Sequence, residues 1–83
     1  MREREDIIVL QSKYAQLAIS PQKSLYPHLE LNGETLRAGS PLVLCIQAHE
    51  IAGHIELDEW GWYLDTGEVA IMLHTGLWAR LPR

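Results

Sequence analysis

Short stretches of alternating hydrophobic residues fill the chain after residue 27, and they constrain the fold more than any other feature. They are separated by glycine, proline, asparagine and aspartate, which favour turns. Asn32-Gly33 lies between HLEL and ETLR and is the dipeptide most typical of a tight β-hairpin. Asp65-Thr66-Gly67 separates GWYLD from EVAIML in the same way. The pattern predicts about five or six short antiparallel strands that curl into a small barrel.

The N-terminal segment has a different period. Its apolar side chains recur at three- and four-residue intervals, at Ile7, Leu10, Tyr14 and Leu17. This spacing is typical of one face of an amphipathic helix, and the Ser-Pro step that follows is expected to end it. We therefore predict one domain of the α+β class, mainly β, with a helix over 3–19, a linker over 20–27 and the barrel over 28–82. The helix could pack on its own barrel or on another chain.

Composition favours an ordinary small globular domain. Of the 83 residues, 47% are hydrophobic and 22% are charged, which excludes the disordered class. The apolar runs are too short to span a membrane, and the start MREREDIIVL lacks the small-residue cleavage site of a signal peptide. The single cysteine, Cys45, cannot form an internal disulfide. We therefore predict a cytoplasmic protein with no membrane segment.

The charges are unevenly distributed along the chain. Residues 38–79 contain no lysine or arginine. The same range contains six carboxylates, at Glu50, Glu56, Asp58, Glu59, Asp65 and Glu68. Carboxylates without counter-charges repel phosphate groups and attract cations, which argues against nucleic acid and favours a basic protein partner. The alternative is an acidic face whose only role is to keep the domain in solution.

The segment HEIAGHIE resembles a zinc peptidase motif but has the wrong spacing. His49 and His54 are five positions apart, whereas that motif needs two histidines four apart on a helix. Five positions place the side chains about 140° apart on a helix and on opposite faces of a strand. Nothing in the sequence resembles a phosphate-binding glycine loop or places a polar group in an apolar pocket. We predict no metal, no cofactor and no enzymatic activity.

Tryptophans stand close to the carboxylates in the segment ELDEWGWYL. Strand alternation places Trp62 and Leu64 on one face and Tyr63 on the other, so at least one ring is expected to leave the core. Trp60 precedes a glycine in a predicted turn, which favours exposure. An exposed tryptophan beside carboxylates suits a basic, proline-rich peptide. The alternative is that the rings fill the barrel interior.

The chain from Leu36 onward resembles a family of small bacterial domains of unknown function. The resemblance covers a little over half of the sequence and is carried by Gly39, Ser40, Gly53, Ile55, Glu56, Trp62, Tyr63, Leu64, Gly76 and Arg80. It implies a bacterial or mobile-element origin and an SH3-like barrel, and it implies no activity. Within this pattern, Glu56 and Arg80 could form an ion pair across the sheet.

Taken together, these features favour a non-catalytic protein-interaction module that presents an acidic, tryptophan-bearing surface to a basic protein. The residues expected to contact this partner are Glu50, Glu56, Asp58, Glu59, Trp60, Trp62 and Trp78. One alternative is a small inhibitor that occupies the nucleic-acid-binding surface of an enzyme. Another is a barrel that stacks bases on its tryptophans. Self-association through the helix or an open strand edge is compatible with all three.

Overall fold

The computed structural model describes residues 13–20 and 27–82, and all eight regular elements in these ranges are strands. The strands are β1 Ala15–Ser20, β2 His28–Leu31, β3 Glu34–Leu36, β4 Pro41–Ile46, β5 His49–Asp58, β6 Gly61–Asp65, β7 Ala70–Met72 and β8 Trp78–Arg80. They form one sheet in the order β3-β2-β1-β8-β4-β5-β6-β7, in which neighbouring strands are antiparallel. Within the described ranges no helix has the length and hydrophobicity of a membrane span.

The prediction of an N-terminal helix was wrong for the part of it that the structure describes. Residues 15–19 belong to β1, and residues 3–12 lie outside the described residues. Leu17 is fully buried in β1, opposite Leu31 of β2, while Ala15 lies opposite Ala79 of β8. Ser20, the first residue of the predicted linker, belongs to β1, and residues 21–26 of that linker lie outside the described part.

The fold class is therefore all-β in the described residues, not α+β. The curl of the sheet agrees with the expected small barrel, but the eight strands form a half-barrel rather than a five- or six-stranded SH3-like barrel. The physical reason is the position of β1, which inserts between β2 and β8 and widens the sheet. The strand order leaves β3 and β7 as the two edges.

Two hairpins confirm the turn signals in the sequence. Asn32 and Gly33 join β2 to β3 with φ angles of 53° and 82°. Two successive residues in the left-handed region are typical of the tight turn that matches strand twist, and Asn-Gly adopts it at low cost. The second turn, between β6 and β7, is held by the Asp65 carboxylate, which accepts a hydrogen bond of 2.8 Å from the Gly67 amide.

The core lies on the concave face of the curled sheet. Its fully buried side chains come from β1, β2, β4, β5 and β6, at Leu17, Leu29, Leu42, Leu44, Ile55 and Leu64. Because successive residues of a strand point to opposite faces, this inner set fixes which side chains face outward. The outer face of β5, β6 and β7 is consequently left to polar and partly apolar residues.

Candidate functional site

The outer face of β5, β6 and β7 carries carboxylates around a tyrosine. Glu56 of β5 pairs with Tyr63 of β6, and Tyr63 pairs with Met72 of β7, so these three side chains form one row across the sheet. On either side of this row lie Asp58 and Asp65. We call this set the acidic face, which consists of Glu56, Asp58, Tyr63, Asp65 and Met72.

The turn between β5 and β6 extends the acidic face with an exposed ring. The carboxylate of Asp58 accepts a hydrogen bond of 2.8 Å from the Trp60 amide, which holds the turn in place. The Trp60 side chain is 78% exposed, and the adjacent Glu59 is exposed as well. The turn therefore presents a large apolar ring next to two carboxylates, as the sequence predicts for Trp60.

The carboxylates of the acidic face affect the pKa of the Tyr63 hydroxyl. Burial raises the pKa of its hydroxyl, and the negative charges of Asp58, Glu56 and Asp65 raise it further. Three carboxylates therefore act on one half-buried hydroxyl, in a stretch of chain that has no lysine or arginine. Such a surface favours the approach of a cation.

The acidic face also borders exposed apolar area. Among the described residues, the large hydrophobic side chains with the greatest exposure are Trp60 at 78%, Val69 at 60% and Met72 at 48%. Trp60 lies in the turn between β5 and β6 and Met72 belongs to the acidic face, whereas Val69 precedes β7 beside the turn at the other end of β6. Exposed apolar side chains rimmed by polar residues are typical of sites that contact other proteins. Met72, Tyr63 and Asp65 were not predicted from the sequence as parts of this site.

The other two tryptophans lie elsewhere. Trp62 is only 7% exposed and belongs to the core, where its Nε1–H donates a hydrogen bond of 3.1 Å to the Pro27 carbonyl oxygen. Trp78 is half-buried on β8, between Gln16 of β1 and Cys45 of β4. Neither residue lies on the acidic face, so of the three predicted tryptophans only Trp60 lies beside it.

Glu50 was expected to lie with the other carboxylates, but it belongs to a separate cluster near the start of β5. Its Oε2 atom accepts a hydrogen bond of 2.8 Å from Arg80 Nε and another from the Tyr14 hydroxyl. The Lys13 ammonium lies 3.6 Å from the same oxygen. Glu50 therefore has counter-charges, which the sequence did not reveal because they come from outside residues 38–79.

The expected ion pair between Glu56 and Arg80 does not form. Arg80 binds Glu50 instead, because β8 and the first half of β5 lie on either side of β4. Glu56 lies in the second half of β5, where the strand pairs with β6. The strand order therefore keeps Glu56 and Arg80 apart, although the sequence suggested that they could pair.

The Glu50 cluster makes stability depend on pH. The Arg80 guanidinium, followed by the Tyr14 hydroxyl, lowers the pKa of Glu50 from 4.5 to about 2. A carboxylate with a depressed pKa in the folded state stabilises that state above its ordinary pKa, and this contribution disappears as the pH falls toward the folded value. The relevant window therefore runs from pH 4.5 down to about pH 2.

Replacing Glu50 by glutamine is expected to lower the free energy of unfolding at neutral pH and to flatten its change across that window. The glutamine amide cannot provide the charge that Arg80 and Lys13 bind. Urea unfolding at a series of pH values measures both effects. Glu59→Gln is the matched control, because Glu59 is exposed. Equal pH dependence of the native protein and Glu50→Gln would contradict the assignment.

The described residues contain no group of three histidine, cysteine, aspartate or glutamate side chains placed to hold a metal ion. A surface cleft of about 460 Å³ lies beside the bend of β5, and its titratable side chains are His54 and Asp65, both exposed. No nucleophile lines this cleft next to a base in hydrogen-bond contact. That the protein has no enzymatic activity stays a prediction.

Comparison with known proteins gives no further guidance. The chain matches no protein-family model, and no curated protein and no solved structure matches it either. The resemblance to small bacterial domains therefore stays a prediction.

Proposed function

We propose that the protein is a non-catalytic protein-interaction module that uses the acidic face and Trp60 to bind a basic segment of another protein. The observation that carries this proposal is the exposed Trp60 ring, next to Asp58 and Glu59 and at the border of the acidic face. The single cysteine in the sequence favours a cytoplasmic setting for this interaction.

The two parts of this surface suit different parts of a basic peptide. The Trp60 indole offers a large flat apolar area on which proline rings or an arginine guanidinium can pack. The carboxylates at Glu56, Asp58 and Glu59 can form ion pairs with lysine or arginine. A surface whose only role is solubility would need the carboxylates but not the exposed ring, and the presence of both therefore favours binding.

Replacing Trp60 by alanine is expected to weaken binding of a short arginine- and proline-containing peptide about tenfold or more. Tryptophan is among the residues that contribute most to interfaces, because its ring buries much apolar area. Stability should change by less than about 0.5 kcal/mol, since the ring is largely solvent-exposed. Calorimetric titration measures the affinity, and urea unfolding measures the stability. Unchanged affinity in Trp60→Ala would contradict the proposal.

Two double variants show whether peptide affinity depends on the carboxylates at the proposed surface or only on the net charge of the protein. Glu56→Gln with Glu59→Gln removes two charges at the proposed surface, whereas Glu30→Gln with Glu34→Gln removes two charges from β2 and β3 at the other end of the sheet. Both pairs change the net charge equally. We expect the first pair to weaken peptide binding several-fold more than the second at physiological salt. Equal weakening by both pairs would show that only overall charge matters.

A further inference from the structure

Strand β7 lies at an edge of the sheet, and its hydrogen-bonding register is fixed at both ends. The Leu73 amide donates to the Trp62 carbonyl at 2.9 Å, and the Thr66 amide donates to the Val69 carbonyl at 3.0 Å. In an antiparallel pair, the residues that bond to the neighbouring strand alternate with residues whose backbone groups point away. Positions 69, 71 and 73 therefore face β6.

The backbone groups of Ala70 and Met72 consequently point to the open side of the sheet. No strand among the described residues pairs with β7 on this side. Unpaired N–H and C=O groups at a strand edge are a template on which another extended chain can add. The side chains of Ala70 and Met72 lie on the outer face, in the same rows as Asp65 and Tyr63.

We propose that β7 accepts an extended, lysine- or arginine-bearing segment of a partner protein as an additional antiparallel strand. This inference rests on the proposed function and specifies how the basic partner would be held. The backbone groups of Ala70 and Met72 form the hydrogen bonds, and the acidic face next to them selects the charge of the added strand.

The register indicates which partner side chains suit each position. Neighbouring strands are about 4.8 Å apart, so the partner residue opposite Ala70 lies about 10 Å from the Asp65 backbone. The small Ala70 side chain leaves room for a lysine or arginine to reach the Asp65 carboxylate across it. Opposite Met72, which is 48% exposed, an apolar side chain fits best. The partner strand therefore has an apolar residue followed, two positions later, by a basic one.

A second copy of the chain is a poorer occupant of this edge. Pairing two β7 strands would place the acidic faces of both copies on one continuous surface, in a stretch of chain without lysine or arginine. Two surfaces of the same charge repel each other, which opposes this association. Charge complementarity therefore favours a basic segment from a different protein.

The test uses a short synthetic peptide with one valine and two lysines at alternating positions, separated by threonines. Methylating the backbone nitrogens of the valine and of the first lysine blocks the hydrogen bonds to Met72 and Ala70. The matched control peptide carries its methyl groups on the threonine nitrogens, which point away from β7. We expect the first peptide to bind at least about tenfold more weakly than the control, because each lost hydrogen bond leaves a backbone carbonyl unpaired.

The protein provides a second readout of the same contact. Amide hydrogen exchange at Ala70 and Met72 is expected to slow when the unmethylated peptide binds, while Leu73 changes little because its amide already donates to Trp62. Met72→Pro removes the outward N–H group and should abolish binding, whereas Met72→Ala retains that group. The exchange and methylation experiments need no variant, so they remain decisive if Met72→Pro does not fold.

The outcomes separate this inference from the proposed function. If both methylated peptides bind equally and the two amides show no protection, while Trp60→Ala still weakens binding, strand addition is overturned and the proposed function stands. If no basic peptide binds, both fail. Protection of Ala70 and Met72 without peptide, together with a concentration-dependent dimer in sedimentation, would assign the edge to a second copy and also overturn the inference.

Discussion

Replacing Trp62 by alanine is expected to lower the free energy of unfolding by about 3–5 kcal/mol. The ring belongs to the core, is 7% exposed and packs on the concave face of the sheet. Its removal leaves a large cavity and also leaves the Pro27 carbonyl without the 3.1 Å hydrogen bond from Nε1. Small domains are stable by only about 5–15 kcal/mol, so this loss is a large fraction of the total. Urea unfolding followed by circular dichroism measures it.

Two further variants show whether the effect comes from burial. Trp62→Phe keeps an aromatic ring but cannot donate to Pro27, and it should cost much less than Trp62→Ala. Trp60→Ala removes the same side chain two residues earlier and should leave stability almost unchanged. Comparable losses of stability in Trp60→Ala and Trp62→Ala would be inconsistent with the positions of these rings in the structure.

Replacing Gly53 by alanine is expected to destabilise the fold by about 3 kcal/mol. Gly53 lies where the long strand β5 changes partner, since residues 49–54 pair with β4 and residues 54–58 pair with β6. A Cβ atom at this position would lie 2.5 Å from the Asp65 carbonyl oxygen and 2.9 Å from Leu64 Cγ. The carbonyl belongs to the backbone of β6, so relieving the clash requires the two strands to separate.

The neighbouring residue provides the control for Gly53. His54 is exposed, and His54→Ala should change stability by less than about 0.5 kcal/mol. Thermal and urea unfolding of Gly53→Ala and His54→Ala would show the difference directly. A Gly53→Ala variant as stable as the native protein would mean that β5 and β6 do not approach each other closely at this bend.

The sequence predicted the hairpins correctly because each turn is determined by a few adjacent residues. Asn32-Gly33 determines its turn through backbone conformation alone, and the alternation of Trp62, Tyr63 and Leu64 follows from the geometry of one strand. Both features are independent of the order of strands in the sheet. They could therefore be read from the sequence without knowledge of the fold.

The N-terminal strand could not be predicted in this way, because its apolar residues fit both the period of a helix and the alternation of a strand. Leu17 fits a helical stripe that begins at Ile7, but it also alternates with Gln16 and Ala18 as a strand requires. Pairing with β2 and with β8, which follows more than fifty residues later in the chain, decides the outcome. Tertiary pairing of this kind overrides local helix preference.

The candidate site was predictable only where it is contiguous in sequence. Glu56, Asp58, Glu59 and Trp60 come from one strand end and its turn, so the charge pattern revealed them together. Tyr63, Asp65 and Met72 join them through the register of β6 and β7. The Glu50 cluster depends on contacts with Tyr14 and Arg80, 36 and 30 residues away along the chain, which no local pattern indicates.

Recognition of a basic segment by the acidic face and Trp60 is tested by titrating isotope-labelled protein with a short arginine- and proline-containing peptide and following the titration by nuclear magnetic resonance. We expect the largest shifts at the Trp60 indole and at the amides of Glu56, Asp58 and Tyr63, and none with a matched peptide in which glutamate replaces arginine. Shifts centred on Trp78, or equal shifts with both peptides, would contradict recognition of a basic partner by the acidic face.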